Sequence, residues 1–279
     1  MQLNPTQHFF TTRDGVQLSV WDYGGDGPVL TMGHCTGTSA RCLDPVIAAL
    51  NNRFRVLAID CRGHGSSSLP DDLDTLDMNS SGLDFLDLID HFSLSDGVYA
   101  MGHSGGGAHV INAALERPGA IKKAVLVDPI VLPAAFLGNA DRLANGARRR
   151  RNEFESLDAA RERLSSKPPK SLWRSEVVDA YLEHGLHATQ DGAVALNLKG
   201  EDEARFYEQG GSPGAFERLN ELTTPCLLLS GTESYLLPIL EMQKEVIPES
   251  SIHLIEGGSH FVPLEQPEQV AAILVDYFQ

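Results

Sequence analysis

The stretch Gly102-His103-Ser104-Gly105-Gly106 sets one hydroxyl among glycines, directly after the apolar run "VYAM" and directly before the helical pattern "GAHVINAALE". A serine in such a strand-turn-helix is pressed into a strained, positive-φ turn above the end of the strand, and small neighbours let strand and helix approach without Cβ clashes. The chemistry this suggests is nucleophilic: an exposed Ser104 hydroxyl, with the N–H of Gly105 at the helix start aimed at an oxyanion on the attacked carbon. The alternative is a glycine-rich packing turn. Neither phosphate-cradling pattern, G-x-x-x-x-G-K-[ST] or G-x-G-x-x-G, can be aligned here.

A serine hydroxyl needs a base to take its proton. His260, in "GGSHFVPLEQPE", stands on a loop after the last strand pattern, "SIHLIEG". A second oxyanion donor is expected from the loop "MGHCTGTSARCLDP", where the backbone N–H of Cys35 is the candidate. Cys35 could instead be read as a nucleophile, but no motif surrounds it. Arg62 and His64, in "IDCRGHGSS", read as braces for neighbouring loops. His184 and His187 stand about one helical turn apart without a third ligand, so no metal is expected there, and the serine chemistry calls for no organic cofactor.

The elements that must position these residues alternate along the chain. "VQLSVWDYG" after the Asp14-Gly15 turn reads as a half-exposed hairpin strand. "PVLTMG", "FRVLAID", "GVYAMGHS", "KKAVLVD" and "PCLLLSG" are short continuous apolar runs suited to central parallel strands. Helical patterns lie between them, among them "DPVIAALNN", "SGLDFLDLIDHF" and "QPEQVAAILVDYF". Parallel strands joined by crossover helices give an α/β sheet covered on both faces. From about Leu132 to Phe216 the pattern changes to charged helical segments broken by "SKPPKS" and "EQGGSPG", with no strong strand run. The expected organisation is a core made of residues 1–131 and 217–279, with 132–216 inserted as a helical cap.

Composition narrows the partners. A chain of 279 residues, 42% hydrophobic, can bury one large core, and a net charge of -16 repels nucleic acid backbones and anionic lipid surfaces. Acid gathers between Asp71 and Asp96, where Leu83, Leu86, Ile89 and Phe92 still recur at helical spacing, so an amphipathic helix with a solvated face is expected. Four cysteines without CxxC spacing, no basic apolar leader and no membrane-length apolar run point to a cytoplasmic protein with reduced thiols and no membrane partner.

Taken in order, "GHCTGTS", "DCRGHGSS", "GHSGG" and "GGSHFVPLEQPE" resemble the α/β-hydrolase superfamily, in its branch of cap-bearing serine esterases, C–C hydrolases and cofactor-free haloperoxidases. The resemblance spans nearly the whole chain. It implies an α/β-hydrolase fold with a mostly parallel eight-stranded sheet, and a serine nucleophile. Two departures stand out. The family usually writes His-Gly in the oxyanion loop where this chain has Gly33-His34, so the assignment to Cys35 depends on a one-residue alignment choice. The family's acid commonly follows the glycine that closes the seventh strand by three residues, where this chain has Ser234. A hydroxyl cannot stabilise an imidazolium by charge. Asp128, at the end of "AVLVD", and Glu233 are the two carboxylates that could replace it.

The expected reaction is hydrolysis of small or medium carboxylic esters, including lactones, through an acyl-enzyme on Ser104. His260 serves as base, Asp128 or Glu233 as acid, and the amides of Cys35 and Gly105 as oxyanion donors. A C–C bond hydrolase and a low-turnover small-molecule receptor on the same scaffold are the alternatives. Epoxide and haloalkane hydrolysis in this fold use a carboxylate where Ser104 stands. Arg148 to Arg151 could form either a salt-bridged surface or an anion site, and Trp173 and Phe206 either line a pocket or pack the cap.

Overall fold

The computed structural model describes residues 3–208 and 212–279, with backbone alone at 137–140. The strands before the insertion are β1 (Thr6–Thr11), β2 (Gln17–Asp22), β3 (Val29–Gly33), β4 (Arg55–Ile59), β5 (Val98–His103) and β6 (Ile121–Val127). Helices α1 (Asp44–Ala49), α2 (Met78–His91) and α3 (Gly105–Glu116) connect them. Strand β1 carried no legible apolar run because only Phe10 of its six residues is buried. It pairs antiparallel with β2 as the outer arm of a hairpin.

The segment after β6 contains α4 (Ala140–Arg148), β7 (Glu153–Phe154), α5 (Leu157–Ser165), α6 (Ser175–Gly185), β8 (Leu186–Ala188), β9 (Val194–Leu196) and α7 (Gly200–Glu208). None of these joins the main sheet. The three short strands form a separate antiparallel sheet in the order β7-β9-β8. The expected helical insertion also carries short strands, which sequence did not show because strands of two or three residues are too short to carry a period-two signal. Residues 209–211 of "EQGGSPG" lie outside the described residues. The chain then returns with β10 (Cys226–Gly231), α8 (Leu237–Val246), β11 (Ser250–Ile255), the single turn α9 (Val262–Glu265) and α10 (Pro267–Phe278).

The main sheet has eight strands in the order β1-β2-β4-β3-β5-β6-β10-β11, parallel from β4 onward. Alternation along its central strands divides the core in two. Ala100, Ala124, Leu126 and Leu228 face a cluster with α2 and α3, while Met101, Val125, Val127 and Leu229 face one with α1 and α10. Burying each large apolar side chain contributes about 1.5–3 kcal/mol, which explains why the central strands read as continuous apolar runs. Among the described residues no helix is long and apolar enough to cross a membrane.

Candidate active site

Strand register brings the chemistry together. His103 at the end of β5 pairs with Val127 at the end of β6, and Val127 pairs with Leu229 of β10. The next residues, Ser104 and Asp128, therefore emerge side by side from the carboxyl edge of the sheet. Ser104 has φ 58° and ψ -114°, and Asp128 has φ 44°. Each holds a backbone conformation that an L side chain rarely adopts, at a cost of order 1–3 kcal/mol. Neighbouring backbone offsets that cost: Ser104 N–H donates to Val127 O at 2.8 Å, and Asp128 N–H donates to Leu229 O at 3.0 Å. A Cβ on Gly102 would come within 2.3 Å of Gly106 O, and one on Gly106 within 2.4 Å of Gly33 O. Only glycine allows so close an approach of strand and helix.

His260 reaches this edge from the loop between β11 and α9. Its Nε2 lies 3.1 Å from Ser104 Oγ and its Nδ1 lies 3.1 Å from Asp128 Oδ2. With the Nδ1–H donated to the carboxylate, Nε2 is left to accept the serine hydroxyl. Glu233 is exposed, and its backbone N–H donates to Gly258 O at 2.9 Å. The carboxylate paired with His260 is therefore that of Asp128.

Two polar neighbours had not been assigned a part from sequence. Ser234 Oγ donates to the same Asp128 Oδ2 at 2.6 Å. The residue at the family's usual acid position thus hydrogen-bonds the carboxylate on the adjacent strand. His103 Nε2 donates to His260 O at 2.8 Å and so fastens the backbone of the histidine loop to the turn carrying Ser104. Burial, with a further push from His260, pulls the His103 imidazole down to about 3 and keeps it neutral. Ser234 was visible in sequence only as a departure, and His103 only as the variable residue of its motif.

The oxyanion loop is pinned from two sides. Gly106 N–H donates to His34 O at 3.1 Å, and Cys61 N–H donates to His34 Nε2 at 3.1 Å. Gly37 N–H donates to His64 Nε2 at 2.9 Å, while His64 Nδ1–H donates to Arg62 O at 3.0 Å. Burial drives the His64 imidazole down to about 3, in keeping with its acceptor role. Arg62 donates to buried Asp84 at 2.9 and 2.6 Å and to Asp14 at 3.0 Å, so it and His64 do brace loops. Among the described residues no acceptor takes the N–H of Cys35 or Gly105, which leaves both donors available. Burial pushes the Cys35 thiol up to about 12, which disfavours a thiolate nucleophile.

Ser104 is only 3% exposed, so the expectation of an exposed hydroxyl is corrected. The inserted segment seats on the loops around it. Arg174 N–H donates to Leu264 O at 2.9 Å, Asn197 Nδ2 donates to Gly65 O at 3.0 Å, and the Trp173 ring lies 5.7 Å from that of Phe261. Phe206, 5.3 Å from the His64 ring, is buried in the same seam. The arginine run is largely salt-bridged. Arg148 pairs with Glu201 and Glu208, Arg150 with buried Glu203, and Arg151 with Glu155. His187 bonds Asn197, and no metal-holding cluster of His, Cys, Asp or Glu occurs among the described residues.

This fold and this edge of the sheet define a class. Residues 29–273 match the model of the alpha/beta hydrolase family, and the chain belongs to that family. A non-heme chloroperoxidase from Kitasatospora aureofaciens is 25% identical over 91% of this chain and 92% of its own. A carboxylesterase from Bacillus subtilis is 23% identical over 94% and 84%. The crystal structure of an E-2-(acetamidomethylene)succinate hydrolase superposes with a TM-score of 0.82, covering 99% of both chains at 22% identity, and so shares the fold.

Proposed function

We propose that the protein is a serine hydrolase that cleaves carboxylic esters, small or medium acyl esters and lactones, through an acyl-enzyme. The observation that carries this reading is the unbroken hydrogen-bonded series from Ser104 Oγ through His260 to Asp128. In the reaction, His260 Nε2 takes the hydroxyl proton as Ser104 Oγ bonds to the acyl carbon. The amides of Cys35 and Gly105 receive the oxyanion, each contributing roughly 3–4 kcal/mol to the transition state. The imidazolium, held by Asp128, protonates the departing alcohol, and water attacks the acyl-enzyme through the same base. Residues 132–216 act as a cap that encloses the acyl group, in keeping with the low exposure of Ser104. No step calls on a metal or an organic cofactor.

Ser234 at the family's usual acid position would favour a low-turnover receptor, but Asp128 at hydrogen-bond distance from His260 argues against that alternative. The C–C hydrolase alternative uses the same serine and histidine and differs in the leaving group. Steady turnover of p-nitrophenyl acetate and of lactones, with no cleavage of vinylogous diketones, is the expected outcome of a substrate panel. Diketone cleavage without ester turnover would overturn the ester reading.

A further inference from the structure

A single turn of 3₁₀ helix, Lys170–Leu172, precedes α6 and lies where the insertion meets the histidine loop. Trp173 N–H closes the turn on Lys170 O at 3.3 Å, and the next residue, Arg174, is tied to Leu264 of α9. The Lys170 ammonium sits 4.9 Å from the centroid of the Trp173 ring and 4.8 Å from that of Tyr181. Two aromatic faces stabilise a cation but give its N–H groups no hydrogen-bond acceptor. Among the described residues no carboxylate pairs with it; the nearby Arg150 takes Glu203, which also accepts from Tyr207 at 2.9 Å. Burial, with Arg150 adding to it, lowers the Lys170 ammonium to about 8, against the opposing pull of Glu203.

A second donor stands in the same place. Trp173 is 7% exposed, and its indole Nε1–H has no partner. A buried donor left unpaired costs about 1–3 kcal/mol unless something occupies it. The position is close to the chemistry: the Trp173 ring lies 5.7 Å from the Phe261 ring, and the Phe261 ring lies 4.9 Å from the ring of His260. An unpaired ammonium and an unpaired indole N–H thus stand together on the insertion side, two ring contacts from His260.

We propose that Lys170 and Trp173 form an anion subsite that binds a carboxylate at the far end of the acyl group, so that half-esters of short dicarboxylic acids are preferred over neutral esters. This deepens the ester-hydrolase reading and rests on it. The carboxylate accepts from the ammonium and from the indole Nε1–H, and its negative charge offsets the desolvated cation. Specificity follows because a neutral acyl chain would leave both donors unpaired.

The test compares kcat/KM for the p-nitrophenyl half-esters of succinic and glutaric acid with p-nitrophenyl butyrate and valerate. The wild-type protein is expected to favour the anionic esters by about 10- to 100-fold, the contribution of one charge-assisted hydrogen bond. Lys170→Met should collapse that ratio toward one, and Lys170→Arg should retain part of it. A wild-type ratio near one, or a ratio unchanged in Lys170→Met, overturns the subsite. Binding is read separately, without turnover, from the thermal shift produced by glutarate. A shift in the wild-type protein that Lys170→Met removes supports the subsite even if no ester is cleaved and Ser104 resists a fluorophosphonate probe, an outcome that would sink only the catalytic reading. No shift in the wild-type protein counts against the subsite whatever the ester kinetics.

Discussion

Replacing Asp128 by Asn isolates the charge of the proposed acid from its geometry. In the native site Oδ2 accepts from Ser234 Oγ at 2.6 Å and from His260 Nδ1 at 3.1 Å, while buried Oδ1 has no partner. An asparagine can present its carbonyl oxygen at the Oδ2 position, keep both donors, and turn its amide toward the vacant side. The imidazole then keeps its tautomer and loses only the facing negative charge. An opposite charge near 4 Å at an effective dielectric constant of 20 is worth about 4 kcal/mol, which corresponds to about 10³-fold in rate. A fall toward 10⁴-fold would indicate that the amide instead turns its NH₂ to His260 and reverses the tautomer. The assay is steady-state hydrolysis of p-nitrophenyl acetate at saturating substrate, with circular dichroism confirming the fold. Glu233→Gln, at an exposed position, should stay within about twofold of wild type. A loss below tenfold in Asp128→Asn, or an equal loss in Glu233→Gln, refutes the reasoning.

Removing the Ser234 hydroxyl should lower kcat about tenfold with KM little changed, because Asp128 loses one of its two donors. Ser234→Thr should recover most of that activity, and equal losses in both variants would contradict a positioning role. Gly106→Ala should destabilise the chain by about 1–3 kcal/mol in urea unfolding, since its Cβ would meet Gly33 O at 2.4 Å; an unchanged midpoint would contradict this. Stability should also fall on acidification. The folded His103 imidazole lies near 3 against an ordinary value of 6.5, so between these the unfolded chain binds more protons. Its contribution is full above about 6.5 and is lost as pH falls toward 3. His103→Gln should therefore flatten the dependence of unfolding free energy by about 1.4 kcal/mol per pH unit near pH 5, and an unchanged slope would show that His103 is not held neutral.

The central parallel strands and the serine turn were legible because burial on both faces and close backbone approach leave direct marks in sequence: continuous apolar runs and Gly102, Gly105 and Gly106. His260 was legible from its place after the last strand. Asp128 remained one of two candidates because strand order is not written in the chain. Only the pairing of β6 with both β5 and β10 brings its carboxylate to His260. The partnership of Ser234 with Asp128 joins residues 106 positions apart and was invisible for the same reason. Strands β7 to β9 were hidden by their length. Lys170 carried no signal because its meaning lies in two rings and a missing acceptor, a tertiary arrangement seen only when the insertion is seated on the histidine loop.

The proposed chemistry needs a reactive hydroxyl at residue 104. Incubation with a fluorophosphonate, followed by intact-mass measurement and peptide mapping, tests it most directly. The predicted result is one adduct per chain on Ser104, absent in Ser104→Ala and greatly slowed in His260→Ala. An unmodified Ser104, or an adduct mapping to another residue such as Cys35, would contradict it.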